Sequence, residues 1–236
     1  MDTVAMHISN GIVDPATSAV FAAIALAGMI VCVLRGRRDL DDRLAPMAGL
    51  VAAFIFAVQM LNFPVLPGVS GHLLGGALAA MLVGPWVGAL CVTIVLIVQA
   101  LVFADGGVSA IGLNVTNMAL IGTFLTYGVL ALLLKVLPRT ATGVAVTGFV
   151  AAVVSVVAGS LGFVLQYAIG GQVDGISLGG AAGAMVGVHA LIGVGEGLIT
   201  AATVLAVAKV RPDLVYALRG KRLLPSTPKS TVESAA

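Results

Sequence analysis

Apolar residues in this chain fall in long, nearly unbroken runs. They do not follow the period of two of a half-buried strand or the narrow stripe of a surface helix. Such runs extend from Ala16 to Leu34, Ala45 to Phe63, Trp86 to Phe103, Asn114 to Leu137, Val144 to Ile169 and Gly180 to Ala208. A helix rises ~1.5 Å per residue and needs ~20 apolar residues to cross ~30 Å of hydrocarbon, so each run predicts a membrane-spanning helix. The stretch from Leu73 to Val83 is too short to span, reaching only ~17 Å as a helix, and Pro85 follows at once. It is expected to be a short helix or half of a re-entrant hairpin. The pattern thus predicts an all-α polytopic bundle of about seven helices, one of them short or re-entrant.

Composition agrees and narrows the function classes. Of 236 residues, 60% are hydrophobic and 9% charged, against roughly a quarter charged in a soluble domain. Water cannot solvate such a surface, which excludes an ordinary cytosolic enzyme, a disordered chain and a nucleic-acid binder; the surrounding medium is the lipid bilayer. Cys32 and Cys91 lie inside apolar runs and read as small buried hydrophobes rather than a disulfide framework.

Charge sets the orientation. All twelve Lys and Arg residues sit in three clusters: Arg35 to Arg43, Lys135 with Arg139, and Lys209 to Lys229. Alternating spans put the three clusters on one side, which the positive-inside rule assigns to the cytoplasm. Opposite-side segments carry Asp2, Asp14, Asp105 and Asp174 and no basic residue. The expected topology is N-terminus outside and C-terminus in the cytoplasm. The first fifteen residues lack the basic start of a signal peptide, so the N-terminal segment is expected to persist on the outer face. Residues 1–211 are read as one membrane-embedded domain with an outer N-terminal segment. Residues 212–236, rich in Ser, Thr, Pro and Lys, are read as a flexible cytoplasmic tail.

Few residues are left to carry chemistry. The chain has no phosphate-binding loop, no H-E-x-x-H pair and no G-x-S-x-G elbow. It is therefore not expected to be an enzyme, and any ATP hydrolysis is expected in separate subunits. His7, in MHISNG, and His72, in SGHLLGG, fall on the same outer face although far apart in sequence. Two imidazoles at one depth, with Gly71, Gly75 and Gly76 permitting close backbone approach, suit a transition metal. They equally suit a terminal residue and an interfacial helix cap. His189 and Glu196, about two turns apart on the last span, point the same way. Glu196 is the only acid within a span, and its cost in hydrocarbon requires it to face protein or water. It reads either as part of a cation path or, preferably, as a structural or subunit-docking group, ~20 Å or more from the outer site by helix rise. Glycines at four-residue spacing accompany it, Gly179, Gly183 and Gly187, then Gly193 and Gly197. Such rows serve tight packing within the chain or docking of a partner helix.

With these residues assembled, the chain resembles the CbiM/NikM family, the metal-binding membrane components of energy-coupling factor transporters. The resemblance rests on MHISNG, QMLNFPV, SGHLLGGALAAMLVGPW, VQALVFADGG, LNVTNMALIG and HALIGVGEGLIT, from Met6 to about Thr200. It implies the substrate-specificity component of an ABC-type importer of Co(II) or Ni(II), with the metal as cargo and no organic cofactor. It also implies partners: a CbiN/NikN-like small membrane subunit as a separate chain, a transmembrane coupling subunit and ATPase subunits. The implied ligands are the terminal amine of Met6, the amide nitrogen and ring of His7, and the ring of His72. Four nitrogens in a plane favour such metals over Mg(II) or Ca(II). Gln59, Asn62, Ser70, Asp105, Asn114 and Asn117 are the implied supporting residues around the ligands. Met6 is preceded by MDTVA, so an amine ligand requires a chain that starts at Met6, and this start is the expectation. The competing function is an autonomous secondary transporter or channel for a divalent cation, with His189 and Glu196 as relay groups. An intramembrane hydrolase has the least support.

Overall fold

The computed structural model describes residues 7–173 and 175–219. They form seven helices: α1 (Pro15–Gly36), α2 (Leu44–Gln59), α3 (Gly76–Val83), α4 (Pro85–Val102), α5 (Val108–Val136), α6 (Ala141–Gly170) and α7 (Leu178–Val210). α1, α4, α5, α6 and α7 are long and apolar enough to cross a membrane, and α2 is a shorter apolar helix of 16 residues. Burial is inverted relative to a water-soluble fold. Leu26, Leu101 and Leu191 are exposed, while Gln59, Gln99, Gln166, Thr126 and Ser155 are wholly buried. An apolar exterior and a hydrogen-bonded polar interior are what a bilayer demands. The protein is a multi-pass membrane helical bundle.

Local chemistry fixes the helix ends. Asp14 caps α1, its Oδ1 accepting from the Ala16 and Thr17 amides at 2.8 and 2.9 Å, with Pro15 in the first turn. Asp41 does the same for α2 through the Leu44 amide at 2.7 Å. The Ser177 and Thr140 hydroxyls cap α7 and α6. At the end bearing these basic loops, Arg219 approaches Asp41 at 3.7 Å and the Tyr216 hydroxyl donates to Asp39 at 3.4 Å. The first basic loop and the chain after α7 thus meet at one end of the bundle. The chain also stays packed beyond 211: two short turns, Pro212–Leu214 and Tyr216–Leu218, bury Val215 and Leu218. These apolar anchors hold residues up to Arg219 against α3 and α7, whereas composition marks only their polar neighbours. Residues 220–236 lie outside the described residues.

Two segments depart from the expected helices. The second span stops at Gln59, and the chain turns into an antiparallel hairpin, β1 (Asn62–Leu66) and β2 (Val69–His72), with Asn62 opposite His72. Pro67 and Gly68, the latter at φ +74°, form its two-residue turn. The short apolar stretch is helical only over α3, eight residues that are all buried. Residues 73–75 enter it unwound, with Gly75 at φ +77°. A single residue, Gly84 at φ +85°, joins α3 to α4, and a side chain there would collide with the Tyr216 ring. α3 is thus a short helix in the middle of the bundle, entered through extended backbone from the outer hairpin.

The glycine row of α7 divides. Gly193 and Gly197 lie against Val153 and Phe149 of α6, leaving no room for a side chain at 197 without displacing the Phe149 ring. A β-carbon added at Gly179, Gly183 or Gly187 would meet nothing within 4 Å outside its own turn of helix among the described residues. α5 widens into a π-helical stretch over Val115–Ile121, where Asn117 packs against Gly159 and Gly162 of α6.

Candidate metal centre at the outer face

The segment from His7 to Val13 is threaded between the hairpin, the loop after α4 and the start of α5. The Asn114 side chain grips it from both sides of one residue, Oδ1 accepting from the Ile8 amide at 3.3 Å and Nδ2 donating to the Ile8 carbonyl at 3.4 Å. The Gly107 amide donates to that same carbonyl at 2.9 Å, and the Ser9 amide donates to the Gly68 carbonyl at 3.3 Å. Asn10 Oδ1 accepts from the Ser109 amide and hydroxyl at 3.0 and 2.7 Å. Gly106 adopts φ +93°, and a β-carbon there would come within 2.9 Å of His7 Cβ. The A-D-G-G loop is therefore glycine-rich so that the backbone can close over the histidine.

These contacts bring His7 against His72. His7 Nδ1 lies 2.6 Å from His72 Nε2, and both residues are buried. The outer nitrogens decide which atoms carry protons. His72 Nδ1 lies 3.0 Å from the Leu73 carbonyl, which can only accept, so Nδ1 donates and Nε2 keeps its lone pair. In the tautomer in which His7 Nε2 donates to Gln99 Oε1 at 3.1 Å, the lone pair falls on Nδ1; in the other, Nδ1 donates to His72 Nε2. In the first of these tautomers both facing nitrogens carry lone pairs, the donor arrangement that a shared cation takes. With metal–nitrogen bonds of ~2.0 Å, nitrogens at neighbouring corners of a square lie ~2.8 Å apart. The imidazoles can therefore occupy two adjacent corners of a planar metal site.

Burial disfavours the charged forms of this pair and of Asp105. It pushes the His7 imidazole down to about 4, with the hydrogen bond to Gln99 working the other way. Burial, and then the neighbouring His7, hold His72 well below the ordinary histidine range. Asp105 is pushed up to about 6 by burial. Among the described residues no three His, Cys, Asp or Glu side chains are grouped to hold a metal. Further donors must come from elsewhere, and Met6, the residue before His7, lies outside the described residues.

The other sequence-identified residues take distinct places. Gln59 Nε2 donates to the Leu74 carbonyl at 2.7 Å. Asn62 and Ser70 join across the hairpin at 3.3 Å. Asn117 is paired reciprocally with Gln166 at 2.8 and 3.0 Å and, with His7 and His72, lines a cavity of about 40 Å³. His189 also lines this cavity, its Nδ1 donating to the Met185 carbonyl one turn back at 2.8 Å. Glu196 is not remote from the site. Its Oε2 accepts from the Leu74 amide at 2.6 Å and its Oε1 from the Gly75 amide at 3.2 Å. Helix rise places Glu196 far from the outer ends of the spans, but unwinding of residues 73–75 carries the chain after His72 down to it. Gln99 and Gln166 went unselected in the sequence. An amide inside an otherwise apolar span is the signal that marks both.

Comparison with known proteins bears on this site. The family model described as "Cobalt uptake substrate-specific transmembrane region", CbiM, matches residues 7–214. The cobalt transport protein CbiM of Sorangium cellulosum is 32% identical over 226 residues, covering 93% of this chain and 99% of that protein. The fused nickel transport protein NikMN of Rhodobacter capsulatus is 39% identical over 127 residues, covering 54% of this chain and 37% of that protein. A crystal structure of a truncated transition metal transporter superposes with a TM-score of 0.76 at 30% identity, covering 86% of this chain and 98% of that one. His7, His72, Gln99 and Asp105 all fall within the matched region, and the chain belongs to the CbiM family of cobalt-uptake transmembrane proteins.

Proposed function

We propose that this protein is the substrate-specificity subunit of an energy-coupling factor transporter and captures Co(II) or Ni(II) at the outer face. The observation that carries the reading is the buried His7–His72 pair, whose ring nitrogens converge at 2.6 Å. Imidazole nitrogens of this kind suit Co(II) and Ni(II), and a planar field would be completed by backbone nitrogens of the Met6–His7 segment. If the chain begins at Met6, the terminal amine supplies the fourth donor. Gln99 bonds to the far nitrogen of His7, the support that metal-binding histidines commonly receive, with Asp105 beside it at 3.6 Å.

The sequence carries no nucleotide-binding loop, so in this reading ATP is hydrolysed by other chains. A small NikN- or CbiN-like membrane subunit is the first partner, a reading supported by relatives whose names describe fused NikMN proteins. A transmembrane coupling subunit and ATPase subunits complete the complex. The test is calorimetric titration of the purified protein with Co(II) and Ni(II), beside His72→Ala. The wild type is expected to bind one metal tightly, and His72→Ala to lose high-affinity binding while keeping its helical content. A folded His72→Ala variant that binds like the wild type would overturn the assignment. Gradient-driven metal accumulation in liposomes containing this chain alone would establish the secondary-transporter alternative instead.

A further inference from the structure

We propose that Glu196 is a positioning residue for the metal ligand His72, acting through the single peptide group between Leu73 and Leu74. The proposal rests on the metal reading above. The Leu73 carbonyl accepts from His72 Nδ1 at 3.0 Å, and the Leu74 amide donates to Glu196 Oε2 at 2.6 Å. That carbonyl and that amide are the two ends of one planar unit whose C–N bond has partial double-bond character. A hydrogen bond that draws on the N–H end makes the oxygen at the other end a better acceptor, since linked hydrogen bonds polarise one another. The chain of contacts therefore runs from carboxylate to peptide to imidazole, and ends at His72 Nε2, which faces His7.

Metal-binding histidines generally pass their second ring N–H to a carboxylate or a carbonyl, which fixes the ring and raises its basicity. Here the acceptor is a carbonyl with a carboxylate behind it. The geometry also explains why the residue is an acid. Its two oxygens accept from two successive amides, Leu74 and Gly75, at the point where extended backbone enters α3. A glutamine could satisfy one of these amides, but its NH2 group would face the other. Gln59 from α2 holds the next carbonyl, Leu74, at 2.7 Å, so the segment is gripped from both sides. On the other side of His72, His189 of α7 lies against Gly71, where an added β-carbon would be 3.1 Å from its Cε1. Helix α7 thus touches the chain both before and after the ligand.

The test combines nitrogen NMR of 15N-histidine-labelled, metal-free protein with calorimetric Ni(II) titration of the wild type and Glu196→Gln. His72 resonances are assigned by their loss in His72→Ala. The wild-type His72 ring is expected to be protonated at Nδ1 and bare at Nε2. In Glu196→Gln its resonances should shift toward weaker Nδ1–H donation, and Ni(II) affinity should fall about tenfold, the low end for such supporting groups because the effect passes through a peptide. Unchanged affinity, or a fall in affinity with His72 resonances unmoved, overturns the proposal. If Glu196→Gln does not fold, Glu196→Asp takes its place: shifted His72 resonances with weakened Ni(II) binding uphold the relay, and unmoved resonances or a wild-type His72 ring protonated at Nε2 refute it. A wild type that binds neither metal refutes the metal reading, and the His72 tautomer is still read from the metal-free spectrum.

Discussion

Asn114→Leu tests whether the site depends on docking of the N-terminal segment. Leucine has the same number of side-chain heavy atoms and the same branching as asparagine but cannot bond to Ile8, so the buried Ile8 amide loses its acceptor. Leaving a buried donor unmade costs about 1–3 kcal/mol. The bonds here are long, at 3.3 and 3.4 Å, and the Ile8 carbonyl keeps its partner at Gly107. A cost of about 2 kcal/mol is therefore the working figure. The cost falls on the docked segment, because the bonds lost are those that tie Ile8 to Asn114. If metal binds only when His7 is docked, the apparent affinity falls by the lost docked fraction, at most about 30-fold for 2 kcal/mol. The Ser9–Gly68 and Asn10–Ser109 bonds remain, so binding is weakened rather than abolished. Calorimetry with Ni(II), beside a thermal melt of the metal-free protein, reads both quantities. Unchanged affinity in the folded variant would show that His7 is positioned without Asn114 and would refute the reasoning.

Two further outcomes follow from packing and burial. Gly197→Leu drives a side chain into Phe149 and should destabilise the bundle by about 1–3 kcal/mol, while Gly187→Leu, on the uncovered stretch of the same helix, should leave the melting temperature unchanged in detergent; equal shifts in the two would contradict the packing described. The metal-free protein should lose stability as pH falls from about 6.5 toward 4. The unfolded state takes up protons on His7 and His72 in that window, whereas the folded state, with both groups held low by burial, does not. Asp105, raised to about 6, works in the opposite sense by taking a proton in the folded state first. Asp105→Asn should therefore steepen the loss, and a melt series that gains stability across this window would show the histidines are not buried neutral.

Hydrophobicity is a local property, so the membrane-spanning architecture was legible residue by residue. The spans, the clustering of basic loops at one end and the free, buried cysteines all follow from runs of composition. His7 and His72 could be placed on one face by counting spans, and the motifs around them pointed to a metal family. What composition could not express was backbone conformation. The Pro67–Gly68 turn between Val65 and Val69 carried a hairpin signal, but it was submerged in the apolar run that ends the second span. The positive φ at Gly75 and the unwound residues before it depend on α2, α5 and α7 packing around α3, and no local pattern encodes that.

The role of Glu196 shows where sequence stops and tertiary structure begins. Its cost in hydrocarbon determined, from sequence alone, that it had to meet polar groups inside protein or water. Which groups it meets was decided only by the fold. A carboxylate in hydrocarbon is satisfied by the nearest unpaired donors, and these exist only where a helix is interrupted in three dimensions. Gln99 differs in the same way: its burial was implied by its span, but its contact with His7, 92 positions earlier, required the N-terminal segment to dock. Burial demands satisfaction of polar groups and is written along the chain, whereas the partner that provides it depends on long-range packing.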